Sequence, residues 1–330
     1  MSTMIETKET APRFGLSLSS DFTNMLLRLL AVAIICIMLT FATDAFLTTN
    51  NLLNVLRQAS LVFFMASGLT LVILTGKIDL SIGATVGLCA CVAAVVIKTT
   101  GSPWIGAAVA VSIGGAVGLA NGLMVTQLRI PSFIATYGML WVAQGVTYYF
   151  MGGQSVYGFP AGFRALGSGY FLGIPIPIYL MIVVLLIGSF FTNRTTFGQQ
   201  IYAMGANTTA ARLSGIPVNS RLNLVFMLSG AMAGVASLIF LARLNSAEGD
   251  VGESLTLPTI AAVVIGGTSL FGGVGSLSGT FIGGLILTLI LNGMNLLSLN
   301  ANWQPFVTGV IVLLAVWLDM KTRSKTDAGN

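Results

Sequence analysis

Residues 254 to 318 read SLTLPTIAAVVIGGTSLFGGVGSLSGTFIGGLILTLILNGMNLLSLNANWQPFVTGVIVLLAVWL, which is 65 positions without a charged side chain. A helix that crosses the hydrocarbon core of a bilayer needs about 20 predominantly apolar residues. This stretch is therefore long enough for three membrane crossings, and its glycine-rich centre suggests where the chain turns between them.

The rest of the chain has the same character, because short charged segments separate long apolar ones. Of the 330 residues, 55% are hydrophobic and 8% are charged, whereas a soluble domain has about 25% charged residues. This composition excludes both a soluble globular protein and a disordered one. The gaps between charges predict an all-α polytopic membrane protein of about ten helices, at 24–42, 57–76, 82–97, 104–126, 132–151, 173–191, 222–243, 256–270, 279–297 and 303–319.

The lysines and arginines predict the orientation of these helices. If the N-terminus is cytoplasmic, eleven of the 15 basic residues fall on the cytoplasmic side and four on the opposite side, namely Arg57, Lys98, Arg164 and Arg243. Such a bias is typical of bacterial membrane proteins. We expect a cytoplasmic tail at 1–23, which lacks the pattern of a cleavable signal, a transmembrane domain at 24–320, and a cytoplasmic tail at 321–330.

Several kinds of chemistry are missing from the chain. It has no histidine, which excludes imidazole catalysis and His-ligated metals. Its cysteines, Cys36, Cys89 and Cys91, lie in apolar stretches and are interpreted as small hydrophobic residues. The glycines at 272–276 lack the lysine of a phosphate-binding loop. We expect no catalytic residue, metal or cofactor in this chain. Because the spans hold few acids, energy for any driven transport would have to come from another chain.

Two glycine ladders predict close helix packing. Gly114, Gly118 and Gly122 lie in the fourth span, and Gly275, Gly279 and Gly283 lead into the ninth. Small residues at this spacing let helix backbones approach closely in lipid. Because the ladders lie five spans apart, spans 2–5 and 7–10 are candidates for a pair of inverted repeats, an architecture common among transporters.

The polar break GKIDLSIG at residues 76 to 83 separates the second span from the third. It has three interpretations. Lys77 and Asp79 could form a solvated loop, or Lys77, Asp79, Ser81 and Gly83 could form a gate or structural lock between the repeats. The third interpretation is favoured: Asp79 or Ser81 is the N-cap of the third helix.

The longest cytoplasmic connection, residues 192 to 221, contains a second polar feature. Asn207 is suited to cap a helix at Thr208–Ser214, Gly215 to end it, and Pro217 to prevent its continuation. A helix of two turns is unstable alone in water, so it packs either on the protein itself or in a groove on a soluble partner. The candidate docking residues are Asn207, Thr208, Ala210, Ala211, Arg212, Leu213, Ser214 and Gly215.

Polar residues inside the spans are candidates for lining a transport pathway. They are Ser67, Asn121, Gln144, Asn292 and Asn295. Each could instead form a hydrogen bond between helices, and that alternative is favoured. On the side opposite the cytoplasm, an external partner could dock, or the residues could be ordinary loop charges; the candidates are Arg243, Glu248, Asp250 and Glu253.

Six segments of the chain resemble the ribose/xylose-type permeases of bacterial ABC sugar importers. They are LVILTGKIDLSIG (71–83), IPSFIATYGML (130–140), YAMGANTTAARLSGIPVNS (202–220), IAAVVIGGTSLFGGVGSLSGTFIGGLI (260–286), NGMNLL (292–297) and LLAVWLD (313–319). Two features depart from the family pattern: Lys77, where a small or acidic residue is usual, and residues 253–259, which lack the usual Tyr-Glu-Leu motif.

The resemblance implies a ten-helix permease of the type II importer fold in a bacterial inner membrane. It implies two permease copies forming a homodimer, a periplasmic sugar-binding protein, and a cytoplasmic ATPase that binds ATP and Mg. The helix at Thr208–Ser214 then looks like the coupling helix that contacts the ATPase. The expected function is ATP-driven import of a pentose or a related sugar or polyol by alternating access. The alternative is a stand-alone secondary transporter or channel for a small polar solute.

Overall fold

A computed structural model describes residues 20 to 327 of the chain, so most of the predicted N-terminal tail and the last three residues lie outside it. The described part is helical. Its helices are α1 Ser20–Ala42, α2 Thr49–Leu74, α3 Ile82–Thr100, α4 Pro103–Thr126, α5 Ser132–Met151, α6 Ala161–Ser168, α7 Ile176–Arg194, α8 Thr196–Ala206, α9 Thr208–Leu213, α10 Val218–Leu244, α11 Thr256–Ile265, α12 Leu277–Leu296 and α13 Trp303–Asp327.

Four two-residue strands and one turn of 3-10 helix complete the described structure. Strands β1 (Val156–Tyr157) and β4 (Ser246–Ala247) pair antiparallel, as do β2 (Tyr170–Phe171) and β3 (Ile174–Pro175). The 3-10 turn spans Glu253–Leu255 and leads directly into α11. These strands serve only to tie loops together, and the prediction of an all-α polytopic protein is confirmed.

Every predicted span coincides with a helix, although several boundaries differ, and α13 extends eight residues beyond the predicted end at 319. Helix α2 begins eight residues earlier than predicted because the Thr48 hydroxyl caps it by accepting a hydrogen bond from the Asn51 N–H, which puts Arg57 inside a helix. Helix α11 ends five residues early, where Gly267 takes a left-handed conformation with φ of 77°. Eight described helices are long and apolar enough to cross a membrane. Helix α5 is less hydrophobic and α11 has only ten residues, so ten crossings remain a prediction.

The core is built from α2, α3, α10 and α12, which are the most buried of the membrane-length helices. Its largest cluster includes Phe63, Phe64 and Leu69 of α2, all nearly inaccessible to solvent. In helices α1 and α13, by contrast, only 6% of the residues in the membrane-length segment are buried. A strongly apolar exposed helix is the expected appearance of a surface that faces lipid.

The glycine ladders make the predicted close contacts. A Cβ atom on Gly114 would strike the carbonyl oxygen of Gly230, and one on Gly230 would strike that of Gly114, so α4 and α10 touch backbone to backbone. In the same way Gly283 of α12 lies against Ala262 and Gly266. Since lipid supplies no hydrophobic force between helices, this close approach is how they gain packing energy.

The contacts between helices recur in two matching sets. Helix α3 packs on α4 and α5, as α11 packs on α12 and α13; α10 packs on α3 and α4, as α2 packs on α11 and α12. Helices α2 and α10 run antiparallel, because Gly68 lies against Ser229 and the charge of Arg57, nearer the start of α2, acts on Arg243 at the end of α10. This pattern supports the predicted relation between spans 2–5 and 7–10.

Basic residues lie at both ends of the helical bundle. At one end, the Arg57 guanidinium lies 4.9 Å from the centre of the Tyr170 ring, and the Lys98 amine donates a 2.6 Å hydrogen bond to the Gly158 carbonyl. At the other end, Arg221 donates a 2.6 Å hydrogen bond to Gln200. We refer to the first as the Arg57 end and to the second as the Arg221 end.

Candidate transport and coupling sites

The break between α2 and α3 is a short extended segment inside the helical bundle. Helix α2 ends at Leu74, whose carbonyl accepts a 2.9 Å hydrogen bond from the Gly273 N–H. Gly76 then turns the chain with φ of 72°, a left-handed conformation that suits glycine. A Cβ there would also press on the Phe271 carbonyl. Glycine therefore suits this position on two grounds, the left-handed backbone conformation and the lack of space for a side chain.

A buried chain of hydrogen bonds fills the break. Asp79 is 2% exposed, and its Oδ1 accepts hydrogen bonds from the Ser81 N–H at 2.9 Å and the Ser81 hydroxyl at 2.7 Å. The Asn121 amide of α4 donates to the same hydroxyl at 2.8 Å. Burial raises the pKa of the Asp79 carboxyl, while the two bonds from Ser81 oppose that rise. The network therefore joins the break to α4.

Two interpretations of the break are corrected by this geometry. Asp79 is sealed from solvent, so the break is not a solvated loop, although Lys77 is half-buried. The capping interpretation is right about position only: Ser81 is the N-cap residue of α3, but its side chain makes no capping hydrogen bond, and Asp79 bonds to Ser81 rather than to the first turn. The side chains bond to each other because burial leaves them no water. The gate or lock remains a prediction.

Helix α5 clamps the same segment from the other side. The Thr136 hydroxyl oxygen accepts a 3.1 Å hydrogen bond from the Leu80 N–H, and the Ser132 oxygen accepts a 3.4 Å one from the Ile78 N–H. Gly83 touches Gly252 so closely that a side chain on either would collide with the other backbone. Ser132 and Thr136 were not among the predicted site residues. The sequence pattern that could have indicated them is a pair of hydroxyl side chains one helical turn apart, directly after Pro131.

The five candidate pathway residues are engaged in hydrogen bonds. Ser67 donates to the Phe64 carbonyl in its own helix at 2.8 Å. The other four bond to a different element of the fold: Asn121 to Ser81, Gln144 to the Gly249 carbonyl, Asn292 to Asn51, and Asn295 to Gln304, all at 2.8 to 3.2 Å. For these four residues the structure therefore shows the favoured alternative, hydrogen bonds between different elements of the fold. Their part in a pathway remains a prediction.

The capped helix of the long connection is present. Helix α9 spans Thr208–Leu213, one residue shorter than predicted; the Asn207 Oδ1 accepts a 2.9 Å hydrogen bond from the Ala210 N–H, and Gly215 has φ of 82°. Leu213 is 84% exposed and Arg212 is also exposed. One predicted docking residue is corrected: Ala211 is buried with Met204, Val218 and Leu222, because a helix this short needs an anchor.

Helix α8 connects this helix to the break. A Cβ atom on Gly205 would strike the Leu74 carbonyl and the Gly273 N–H, so α8 rests directly on the point where α2 ends. The Tyr202 hydroxyl of the same helix donates a 2.9 Å hydrogen bond to the Gly275 carbonyl. Helix α8 therefore lies between α9 and the end of α2, directly before the break.

Three of the four residues predicted to receive an external partner, Arg243, Glu248 and Asp250, lie at or next to the Arg57 end. Arg243 is half-buried near the end of α10, and Glu248 and Asp250 are exposed on the following loop. Glu253 falls outside the residues whose side chains the structure describes. A further residue was missed: the Arg57 Nε is buried without a hydrogen-bond partner. Its signal in the sequence is weak, since Arg57 is the first residue of the predicted span 57–76 and is counted there only among the basic residues opposite the cytoplasm.

The bundle of apolar helices, with its buried polar break and exposed capped helix, is the architecture of a polytopic membrane protein. Residues 51–316 match the family described as "Branched-chain amino acid transport system / permease component". The chain belongs to this permease family. The predicted resemblance to sugar permeases is also confirmed.

Three relatives show the extent of the similarity. The chain is 41% identical to the ribose import permease protein RbsC of Escherichia coli (strain K12) over 297 residues, which cover 89% of this chain and 92% of the relative. It is 37% identical to the D-allose transport system permease protein AlsC of the same strain, covering 87% and 88%. It is 31% identical to the xylose transport system permease protein XylH of Haemophilus influenzae, covering 90% and 96%. No solved structure matches the chain.

Proposed function

We propose that this chain is the transmembrane permease subunit of an ATP-driven, binding-protein-dependent importer of a monosaccharide, and that two copies form its pathway by alternating access. The observation that carries the proposal is the 41% identity, over 89% of the chain, to a permease named for ribose import. Relatives named for allose and xylose permeases point to the same class of solute. The substrate is a pentose or a related sugar or polyol.

The Arg221 end faces the cytoplasm in this proposal, with both termini on that side of a bacterial inner membrane. There α9 is the coupling helix, and Leu213 and Arg212 contact a separate ATPase subunit, which binds ATP and Mg. Two observations support this role: Leu213 is 84% exposed, and α8 links α9 to the break. An exposed leucine at the end of a capped helix suits insertion into a groove.

The Arg57 end faces the periplasm and receives the sugar-binding protein. Its exposed acids, Glu248 and Asp250, and its half-buried arginines, Arg57 and Arg243, give the surface both signs of charge. Mixed charge suits a specific but transient complex, because electrostatic complementarity sets orientation and association rate. Glu253 belongs to the same predicted surface.

Charge substitution at the coupling helix tests the proposal. Leu213→Glu places a charge on a side chain that is 84% exposed, so folding is expected to be unaffected. We expect loss of co-purification with the ATPase subunit and loss of ATP-dependent ribose, xylose or allose uptake. The matched control is Leu299→Glu, on the loop after α12 with 51% exposure, which should retain the ATPase. Retention of the ATPase by Leu213→Glu contradicts the docking assignment. Uptake without any ATPase favours a secondary transporter.

A further inference from the structure

The pathway surface has to include groups that are not already used inside one copy of the chain. The five candidate pathway residues each bond to another side chain or to a backbone group, as described above. A pathway formed between two copies is therefore lined by an exposed helix face. Such a face should differ in composition from a face that meets lipid.

One exposed helix face has this difference. The outer face of α7 is mainly aliphatic, with Leu186 and Ile187 each 65% exposed. Helix α5 is of similar length and likewise uncharged, but it differs in the kind of side chain that it exposes. Its exposed side carries aromatic rings and two glycines, Gly138 and Gly145, beside which the described chain leaves open space. Helix α13 also exposes aromatic rings and an open glycine, Gly309, but the exposed face of α5 is distinguished by its tyrosines, Tyr137, Tyr148 and Tyr149.

The aromatic rings of α5 form a regular row. Phe133, Tyr137 and Trp141 follow one another at intervals of four residues, and they are 57%, 48% and 55% exposed. The centroids of the first two rings are 6.2 Å apart and their planes nearly parallel; those of the second and third are 6.3 Å apart and perpendicular. The row extends over two helical turns, about 12 Å. We refer to these three residues as the aromatic row.

We propose that the aromatic row is a sugar-contacting surface of the transport pathway, with Tyr137 and Trp141 as its main contacts. This proposal rests on the proposed function. The C–H groups on one face of a sugar ring are weakly positive, and the face of an aromatic ring is negative, so the two attract. The Tyr137 hydroxyl can exchange hydrogen bonds with sugar hydroxyls. Because the row has no charge, it holds a neutral solute weakly enough for release, as conduction requires.

The position of the row also connects it to the break. The Thr136 hydroxyl accepts a hydrogen bond from the Leu80 N–H of the break, while the side chain of its neighbour Tyr137 is 48% exposed. One helix thus holds residues 78–80 on its inner side and the aromatic row on its outer side. A movement of the break that shifts or turns α5 moves the row as well, which is how access to the sugar would change with the state of the partner ATPase.

Solvent accessibility provides the first test. Gly145→Cys and Leu186→Cys are made in a chain whose own cysteines are replaced by alanine, and the assembled transporter is treated with a charged, membrane-impermeant thiol reagent from both sides. Gly145 has space for the new side chain. We expect labelling at position 145, slowed by D-ribose, D-xylose or D-allose, and little labelling at 186. Labelling at 145 no faster than at 186 would overturn the proposal.

Uptake kinetics provide the second test. Trp141→Leu is expected to raise the KM for the transported sugar about three- to tenfold, the loss expected for one aromatic contact, and Trp141→Phe should restore most of it. The control is Trp317→Leu on α13, which is 55% exposed and should leave the KM unchanged. If the unaltered transporter takes up none of the three sugars, the proposed function fails. If it takes them up and Trp141→Leu matches the control, only the aromatic row is disproved.

Discussion

The break at residues 75–81 and the coupling segment of α8 and α9 are both short, polar and bounded by glycines, yet the fold treats them in opposite ways. Asp79 of the break is 2% exposed, whereas Leu213 of the coupling segment is 84% exposed. In the break a polar residue is sealed inside by hydrogen bonds, and in the coupling segment an apolar residue is presented to the outside. The first arrangement holds helices together; the second leaves a surface for another protein.

The two regions lie next to each other. Gly205 of α8 contacts the Leu74 carbonyl at the end of α2, five residues before Asp79 of the buried network. Moving one member of a buried hydrogen-bond network leaves its partners without their bonds, so the network resists displacement. We therefore expect a force applied at the exposed helix to reach the break rather than to be absorbed near the surface.

Removing the carboxylate of the break is expected to have the largest effect. Asp79→Leu leaves the buried Ser81 N–H and hydroxyl without their acceptor, which costs about 1–3 kcal/mol for each unpaired group and disturbs α4 through Asn121. We expect a clear fall in the thermal unfolding midpoint of the purified protein, and loss of uptake. Asp79→Asn keeps an acceptor oxygen and should be much milder. An Asp79→Leu protein as stable as the parent would show that the network has no structural role.

Separating the two regions should have the next largest effect. Gly205→Ala puts a methyl group against the Leu74 carbonyl and pushes α8 off the end of α2. We expect the ATPase subunit to bind as before while ATP-dependent uptake falls at least about tenfold, equivalent to about 1.4 kcal/mol. Gly309→Ala, at a position with open space, is the control for any glycine substitution. Normal uptake with Gly205→Ala would mean that α8 does not transmit motion to the break.

Weakening the cap of α9 should have a smaller and purely local effect. Asn207→Ala removes the acceptor for the Ala210 N–H and destabilises the helix by about 1 kcal/mol. We expect the affinity for the ATPase subunit, measured by titration in detergent, to fall about fivefold, with the unfolding midpoint of the permease itself unchanged. Asn207→Ser retains a capping oxygen and should bind normally. A large loss of permease stability would place α9 in the core instead.

The pH dependence of the break should be the smallest effect. Because burial raises the pKa of Asp79 in the folded protein above its ordinary value of 3.8, the folded state favours the protonated carboxyl. Its contribution to stability is fully present below the ordinary value and is lost as pH rises through the raised value. The unfolding midpoint of the parent minus that of Asp79→Asn should therefore decrease as pH rises from about 4 toward neutrality. A difference that increases with pH would reverse the sign of the pKa shift.

Some local features were predictable because neighbouring residues alone determine them. The cap at Asn207, the left-handed Gly215 and the end of α9 depend on a few consecutive residues, and all three are present. The buried network was not predictable in the same way. Asp79, Ser81 and Asn121 come together across about 40 residues, and the pair Asn51 and Asn292 across 241. The sequence shows each polar residue but not which other residue it will bond to.

The helices and their membrane character follow from the sequence by itself, because the cost of putting a charge in hydrocarbon applies to each residue separately and leaves gaps that can be counted. The function of a polar residue depends instead on which helix it meets. Only the tertiary structure decided that Asp79 is sealed, that Ala211 is an anchor and that the aromatic row of α5 is exposed. Those outcomes depend on close contacts between helices far apart in the chain, and a hydrogen bond or a covered surface exists only once both partners are in place.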